Sequence, residues 1–395
     1  MNYVFSNRIS ALKPSAIREI LKVTSGGRCI PFAAGNPAPE VFPADAIEAL
    51  SSAILKEQPV TALQYGVTEG FAPLRERIAK DLKARFNIGR EFDEVIITAG
   101  AQQVVDLASK VFLNEGDTVI CEAPSFIGSL NCFRSYNAVL KGIPVESDGM
   151  NIELLEEALN TDKNVKMIYT IPNFQNPSGC TMSLEKRKAL YALALKHNVI
   201  ILEDNPYGEL RYKGEDIPSI KSFDDEGIVI YAGSYSKIIS PGMRVGFSLA
   251  PAEITAKMTV GKQASDVHSP MLCQMILDRW LNDYDTAAHI KFIRSVYSRK
   301  MELMCDKLDS ELGGRISYVR PEGGLFIWCE LDSSVNMLDF CKEAANNDVA
   351  VVPGTAFMAS ESDCTNCFRL NFSTPTDEQI VRGIEILGNV CKKFN

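Results

Sequence analysis

No run of about eighteen apolar residues, the length that spans a bilayer, occurs anywhere in the 395-residue chain, so no membrane helix is expected. The N-terminal MNYVFSNRISALKPSAIREIL carries Asn, Arg, Ser and Lys where a secretory signal would need an unbroken apolar core, and a soluble, cytoplasmic protein is expected. Basic residues are in the minority. The 41 Lys and Arg stand against 50 Asp and Glu, for a net charge of −9, the wrong sign for neutralising a phosphate backbone, so nucleic acid is not an expected partner. Histidine is scarce, with only His197, His268 and His289. The one close cysteine pair, Cys364 and Cys367, therefore lacks the further ligands that a structural zinc takes, and no metal is expected. The 11 cysteines are odd in number and scattered from Cys29 to Cys391, which reads as reduced thiols rather than a disulfide framework. Internal repeats and low-complexity stretches are also missing.

What is present belongs to an ordinary globular protein. Hydrophobic residues make up 46% and charged residues 23% of the chain, close to the average for folded domains, and the length suffices for two domains with ample core. Through the middle, apolar β-branched runs alternate with helix-like periodicity: Glu94–Thr98, Thr118–Cys121, Val165–Tyr169, Val199–Leu202 and Ile228–Tyr231 are strand-like, while Ala101–Leu107 and Leu184–His197 are helix-like. Such alternation predicts βα units and a largely parallel sheet covered by helices. After Pro270 the pattern turns to long helical periodicity through Met271–Leu281 and Ala287–Leu308, then to shorter strands such as Leu325–Trp328. The expected division is an N-terminal arm with part of a small domain over 1–45, a large α/β domain over 46–285, and a small α+β domain over 286–395.

Chemistry-bearing residues cluster just past the strand-like runs. In GIVIYAGSYSKIISPGMRVGF, Lys237 follows the apolar run Ile228–Tyr231 with Ser234 and Ser236 beside it and Arg244 shortly after. A lysine there serves either solvent or a ligand, since strand ends in α/β sheets are where ligands collect. Four further segments repeat the pattern of strand end plus polar group. Asp204 closes VIILEDNPY, where a buried carboxylate stays ionised only beside a partner such as a protonated ring nitrogen. Thr98-Ala-Gly-Ala-Gln102 is a glycine-containing turn into a helix, an arrangement whose amides bind phosphate. Asn173 and Asn176 in YTIPNFQNPSG offer amides to a phenolate or carboxylate. Arg369 in CFRLNF carries the guanidinium suited to gripping a carboxylate bidentately.

Together, SYSK with PGMRVGF, the NPSG segment, EDNPYGEL and FRLNF resemble, in order and rough spacing, the class I/II aminotransferases of the fold-type I pyridoxal-phosphate enzymes. AAGNPAPEVFP at Ala33–Pro43 and KPSAIREIL are most similar to the branch containing the 2-aminoadipate, kynurenine and broad-specificity aminotransferases. The resemblance implies a large domain with a mainly parallel seven-stranded sheet between helices, a homodimer, and pyridoxal 5'-phosphate as cofactor. It assigns Lys237 to the covalent link with the cofactor aldehyde, Asp204 to the ring nitrogen, and Tyr207 and Asn176 to the 3-oxygen. Phe126 would stack on the ring, where many relatives carry Tyr or Trp. Gly100, Ala101, Gln102, Ser234, Ser236 and Arg244 would hold the phosphate, with Tyr65 reaching in from the neighbouring subunit. Arg369, Gly35 and Asn176 would receive the substrate carboxylate. Arg18, at the start of a short amphipathic helix in a mobile arm, is expected either to meet a distal carboxylate or to face water. The implied activity moves an amino group from an aromatic, branched-chain or 2-aminoadipate-like amino acid to a 2-oxo acid such as 2-oxoglutarate, by a ping-pong route. Lyase and related chemistry on the same fold shares Lys237 and Asp204 and stands as the alternative. A regulatory cofactor-binding module is a third reading. It would expect a basic helix-turn-helix ahead of the domain, where this sequence has its arm-like segment.

Overall fold

The computed structural model describes residues 2–10, 12, 29–360 and 363–394, so Arg18 lies outside the described residues. The expected βα alternation produces one large sheet. Its strands in chain order are β1 (Asp93–Thr98), β2 (Thr118–Ala123), β3 (Val139–Glu146), β4 (Gly149–Met150), β5 (Val165–Thr170), β6 (Ile200–Asp204), β7 (Val229–Ser234) and β8 (Gly246–Pro251). In space the order is β1-β8-β7-β6-β5-β2-β3-β4. Neighbours from β7 through β3 pair in parallel, whereas β8 runs antiparallel to both β1 and β7. Seven strands of ordinary length are therefore joined by an eighth of two residues. That strand, β4, folds back on β3 through Val145↔Met150, and Gly149 takes φ +118° at its start, a backbone conformation open to glycine. Two residues carry no readable period, which is why the sequence pattern missed it.

Both faces of the sheet are covered, as parallel strands require. Alternate residues feed two cores. Ile120, Ile168, Ile201 and Val229 pack with Leu155, Leu159, Leu190 and Ala194 of the helices Ile152–Thr161 and Leu184–His197. Their neighbours Cys121, Met167, Tyr169, Leu202 and Ile230 point the other way, into the main core with Val104 and Leu107 of the helix Ala101–Phe112. The period of two along each strand thus decides which side chains face which layer.

A second sheet follows the helix Thr286–Leu312, whose buried stripe Ile290, Ile293, Tyr297, Met301, Met304 and Leu308 has the spacing of one helix face. This sheet is antiparallel, in the order β11-β12-β10-β9, with β9 (Ile316–Tyr318), β10 (Phe326–Leu331), β11 (Val352–Pro353) and β12 (Cys367–Asn371). Residues near the N-terminus join it. Ile30 bridges to Val349, and the Asn371 amide donates to the Phe32 carbonyl at 2.8 Å.

Because β1, β2, β5, β6 and β7 share one direction, their carboxyl ends lie along one edge, and the antiparallel β8 begins there, with Gly246 opposite both Thr98 and Ser234. Five loops, the last of them leading into β8, therefore converge on that edge. In doubly wound sheets this is the edge where ligands bind.

Candidate active site

Lys237 leaves the end of β7 partly buried, with its Nζ donating to the Gly35 carbonyl at 2.8 Å. Burial disfavours the ammonium form, and the Arg369 and Arg244 charges add to it, so the amine is pushed down to about 8. An amine so depressed is available as a nucleophile and base near neutral pH. Gly35 is fixed by its surroundings: a Cβ there would lie 3.3 Å from the Phe326 ring.

Asp204 ends β6 and is 4% exposed. Its Oδ2 accepts a hydrogen bond from the Tyr169 hydroxyl at 2.8 Å, while its Oδ1 is buried with no partner among the described residues. Burial pushes the carboxyl up to about 6, with the Tyr169 hydrogen bond opposing. A buried carboxylate oxygen left open is costly unless a cationic donor meets it, and a protonated ring nitrogen is such a donor. Nearby, Asn176 Nδ2 donates to the Tyr207 hydroxyl at 3.3 Å, and Asn176 Oδ1 accepts from Arg369 Nη1 at 2.8 Å.

Arg369 sits on β12 and is 2% exposed. Its guanidinium lies between two aromatic rings, 4.3 Å from the centre of Phe326 and 4.9 Å from that of Phe357. Its Nη2 donates to the Ala33 carbonyl at 2.8 Å. The remaining Nε is buried without a partner among the described residues, which leaves one edge of the fork open to a carboxylate. Burial lowers this guanidinium to about 10, a value that still leaves it charged at neutral pH.

The turn after β1 makes a cradle. Gly100 adopts φ +78° at the head of the helix Ala101–Phe112, so the first-turn amides of Ala101 and Gln102 sit at a helix N-terminus, where anions bind. A side chain at Gly100 would collide with Arg244 Nη2, and one at Gly246 would meet the Gly100 carbonyl carbon at 2.6 Å. Arg244 Nη2 donates to the Ala99 carbonyl at 2.7 Å. Across the cradle Ser234 and Ser236 join hydroxyls at 3.0 Å. The side chain of Gln102 turns away to the Gly128 carbonyl at 3.1 Å. Phe126, the residue before the helix Ile127–Ser135, packs partly buried against the main core.

Two expected residues stand outside this cluster. Tyr65 is 80% exposed, its ring against the edge of His268 at 5.8 Å. Asn173 faces away, donating to Asn205 at 2.9 Å and accepting from the fully buried Arg187 at 2.7 Å. Sequence reasoning missed Tyr169, Glu122, Phe326 and Phe357. Glu122, at the end of β2, accepts from Thr170 Oγ1, the Ile171 amide and Gln175 Nε2. Burial pushes it up to about 7, against these donors. Only the strand period of Val165–Tyr169, which puts Tyr169 on the main-core face, hinted at any of the four.

The whole layout has close parallels among known proteins. The profile of the family "Aminotransferase class I and II" matches residues 28–387. The chain belongs to this family. An aromatic-amino-acid aminotransferase of Thermococcus litoralis is 38% identical over 98% of this chain and 94% of its own. The kynurenine aminotransferase of Pyrococcus horikoshii, solved with PMP, KYN and KYA, superposes with a TM-score of 0.94 at 38% identity, covering 98% and 97% of the two chains. The alpha-aminoadipate aminotransferase of Thermus thermophilus, complexed with N-(5'-phosphopyridoxyl)-L-leucine, superposes with a TM-score of 0.90 at 35% identity, covering 99% and 97%. The protein is accordingly a pyridoxal-phosphate-dependent aminotransferase of the fold-type I class. Its residues fit the cofactor: an unpartnered Asp204 oxygen for the ring nitrogen, a glycine cradle for the phosphate, and a depressed lysine amine for the aldehyde.

Proposed function

We propose that this aminotransferase takes an aromatic, branched-chain or 2-aminoadipate-like L-amino acid as donor and a 2-oxo acid, 2-oxoglutarate in particular, as acceptor, by a ping-pong route through Lys237. The observation that carries the reading is the pairing of a depressed amine at Lys237 with two buried, open polar atoms, Asp204 Oδ1 and Arg369 Nε. Bound pyridoxal phosphate supplies an electron sink that stabilises negative charge at the substrate α-carbon.

The chain's own residues do the rest. Lys237 would hold the cofactor through its aldehyde carbon, and its Nζ, once freed by the amino acid, would take the α-proton as base and deliver it as acid to the carbon that carried the aldehyde. Asp204 keeps the ring nitrogen protonated, and Tyr207 and Asn176 hydrogen-bond the 3-oxygen. Phe126 covers the ring. Ala101, Gln102, Ser234, Ser236 and Arg244 hold the phosphate around Gly100. The substrate α-carboxylate docks on the open edge of Arg369, beside Asn176 and Gly35. We further place Tyr65 in the partner's site of a homodimer, Arg18 on the distal carboxylate of a dicarboxylic substrate, the protein in the cytoplasm, and the domain borders after residues 45 and 285.

A panel of amino donors against 2-oxo acceptors, read by the cofactor's absorbance, tests the substrate reading. The expected result is turnover with aromatic, branched-chain and 2-aminoadipate donors when 2-oxoglutarate accepts. Turnover confined to elimination or decarboxylation would sink it. Lys237→Ala should bind the cofactor without covalent attachment and lose turnover; near-normal transamination by that variant would remove Lys237 from its role.

A further inference from the structure

Tyr169 is a fully buried tyrosine on β5 with no assigned role. In the β5–β6 register it pairs with Leu202, two residues before Asp204 on the same face of the neighbouring strand. Its hydroxyl donates to Asp204 Oδ2 at 2.8 Å and accepts from Ser129 Oγ at 2.9 Å. Ser129 is itself buried, on the helix Ile127–Ser135 that begins just after Phe126. The two hydrogen bonds have a fixed sense. Asp204 Oδ2 can only accept when ionised, so the tyrosine proton points to it, and the serine proton must then point to the tyrosine oxygen.

We propose that Ser129 and Tyr169 form a hydroxyl relay that positions Asp204 and holds it ionised, so that its open Oδ1 keeps the cofactor's ring nitrogen protonated. The inference rests on Asp204 facing that nitrogen, as proposed above, and adds to it two positioning residues that act through the aspartate. With Oδ2 held at 2.8 Å, the carboxylate cannot turn to leave both oxygens idle. A donor whose own oxygen accepts a hydrogen bond is a stronger donor, which is what Ser129 contributes.

Among the described residues, no other neighbour can take over this task. Glu122 on β2 lies close enough to repel the aspartate, but its oxygens are engaged by Thr170, Ile171 and Gln175. Tyr207 after β6 and Tyr231 on β7 feel the Asp204 charge, yet the Tyr207 hydroxyl meets Asn176 and the Tyr231 hydroxyl meets Asn205. The cations Lys237, Arg244 and Arg369 raise no barrier to an ionised aspartate. Without the relay, Asp204 Oδ2 would be buried unpaired, and a neutral acid beside a neutral ring would be favoured.

The test is the 15N resonance of ring-labelled pyridoxal phosphate reconstituted into the whole protein, followed against pH. Tyr169→Phe keeps the ring and its edge contact with Phe133, 5.4 Å between centroids, while removing the donor. It should lower the proton affinity of the ring nitrogen about tenfold, on the order of one charge-assisted hydrogen bond, moving the resonance toward the neutral-pyridine position. Ser129→Ala should shift it the same way by less, and Ser129→Thr, which restores a hydroxyl, should bring it back. A loss of packing alone would weaken cofactor binding without moving the nitrogen. Should Tyr169→Phe fail to fold, Ser129→Ala against Ser129→Thr still decides. Unmoved nitrogen titration in the variants with cofactor bound overturns the relay alone. A wild-type protein whose bound cofactor never attaches to Lys237 overturns the site assignment, and the relay with it.

Discussion

At the scale of single residues, the site is built from ionisable groups that burial has pushed toward their neutral forms. Lys237 is lowered from its ordinary 10.5 to about 8, first by burial and then by the Arg369 and Arg244 charges. In the apoprotein the folded chain therefore sheds this proton before the unfolded chain does, so stability rises with pH between about 8 and 10.5. Attack on the aldehyde needs the neutral amine. The rate of covalent cofactor uptake by apoprotein, followed by stopped-flow absorbance, should thus rise with a midpoint near 8; a midpoint near that of free lysine would contradict the assignment. Arg369→Gln should move that midpoint upward, because a positive charge is removed. Asp204 behaves oppositely. Its carboxyl is raised from 3.8 to about 6 by burial, so the stability it contributes is present at low pH and lost as pH climbs through that value. Asp204→Asn should make the apoprotein more stable at pH 7.5 by roughly 3 kcal/mol, the linkage value of such a shift, and the gain should vanish below about pH 4. Thermal or urea melts across pH check the sign. The same variant loaded with cofactor should lose rate on the order of 10²–10³-fold, the cost of one misplaced electrostatic partner.

At the scale of elements, the site depends on how tightly neighbouring segments approach. The β1 turn can cradle a phosphate because Gly100 takes φ +78° and Gly246 offers no side chain to the Gly100 backbone. Gly100→Ala should cost about 1–3 kcal/mol in stability, the range for a strained backbone residue, and should also weaken cofactor affinity as Arg244 is displaced. Equilibrium dialysis of the cofactor against wild type separates the two effects. Gly100→Ala with unaltered affinity would show that the cradle lies elsewhere. The loop after β5 is held differently. Glu122 at the end of β2 accepts three donors from Thr170, Ile171 and Gln175, so one carboxylate ties the strand that leads to Phe126 to the loop that carries Asn176. Glu122→Ala strands those donors in the interior, and the unfolding free energy from urea melts should fall by about 3 kcal/mol or more. On the adjoining strand β6, Glu203 ties a loop in the same way, accepting from Ser219 and from the amides of Ile220 and Lys221.

At the scale of the whole molecule, one surface is out of keeping with a lone chain. Val60, Leu63, Tyr65 and Val67 are 75%, 73%, 80% and 61% exposed in one short stretch, and Val267 beside His268 is 46% exposed next to them. Contiguous exposed apolar residues mark an interaction face, and a two-fold dimer is the commonest assembly that would cover it. Analytical ultracentrifugation should find a dimer, and Leu63→Glu should shift it toward monomer, with a matching fall in activity under the proposal that Tyr65 reaches into the partner's site. A monomer that is fully active at low concentration would overturn that arrangement.

Much of the candidate site was legible in the sequence because each βα unit carries its candidate residues at the strand end or in the loop that follows. Gly100, Phe126, Asn176, Asp204 and Lys237 each stand at or just past a strand end, and parallel strands bring those ends to one edge. Chain order and a period of two suffice for that much. They are silent on partners chosen across strands. That Lys237 donates to Gly35, 202 residues away, that Phe326 and Phe357 enclose Arg369, and that Tyr169 meets Asp204 come from strand order and from the docking of the small sheet on the large one. Local propensity carries no record of those choices, because burial rewards any apolar side chain that reaches the interior. Which polar atoms are left open there, as at Asp204 Oδ1 and Arg369 Nε, is decided only when the long-range packing closes around them.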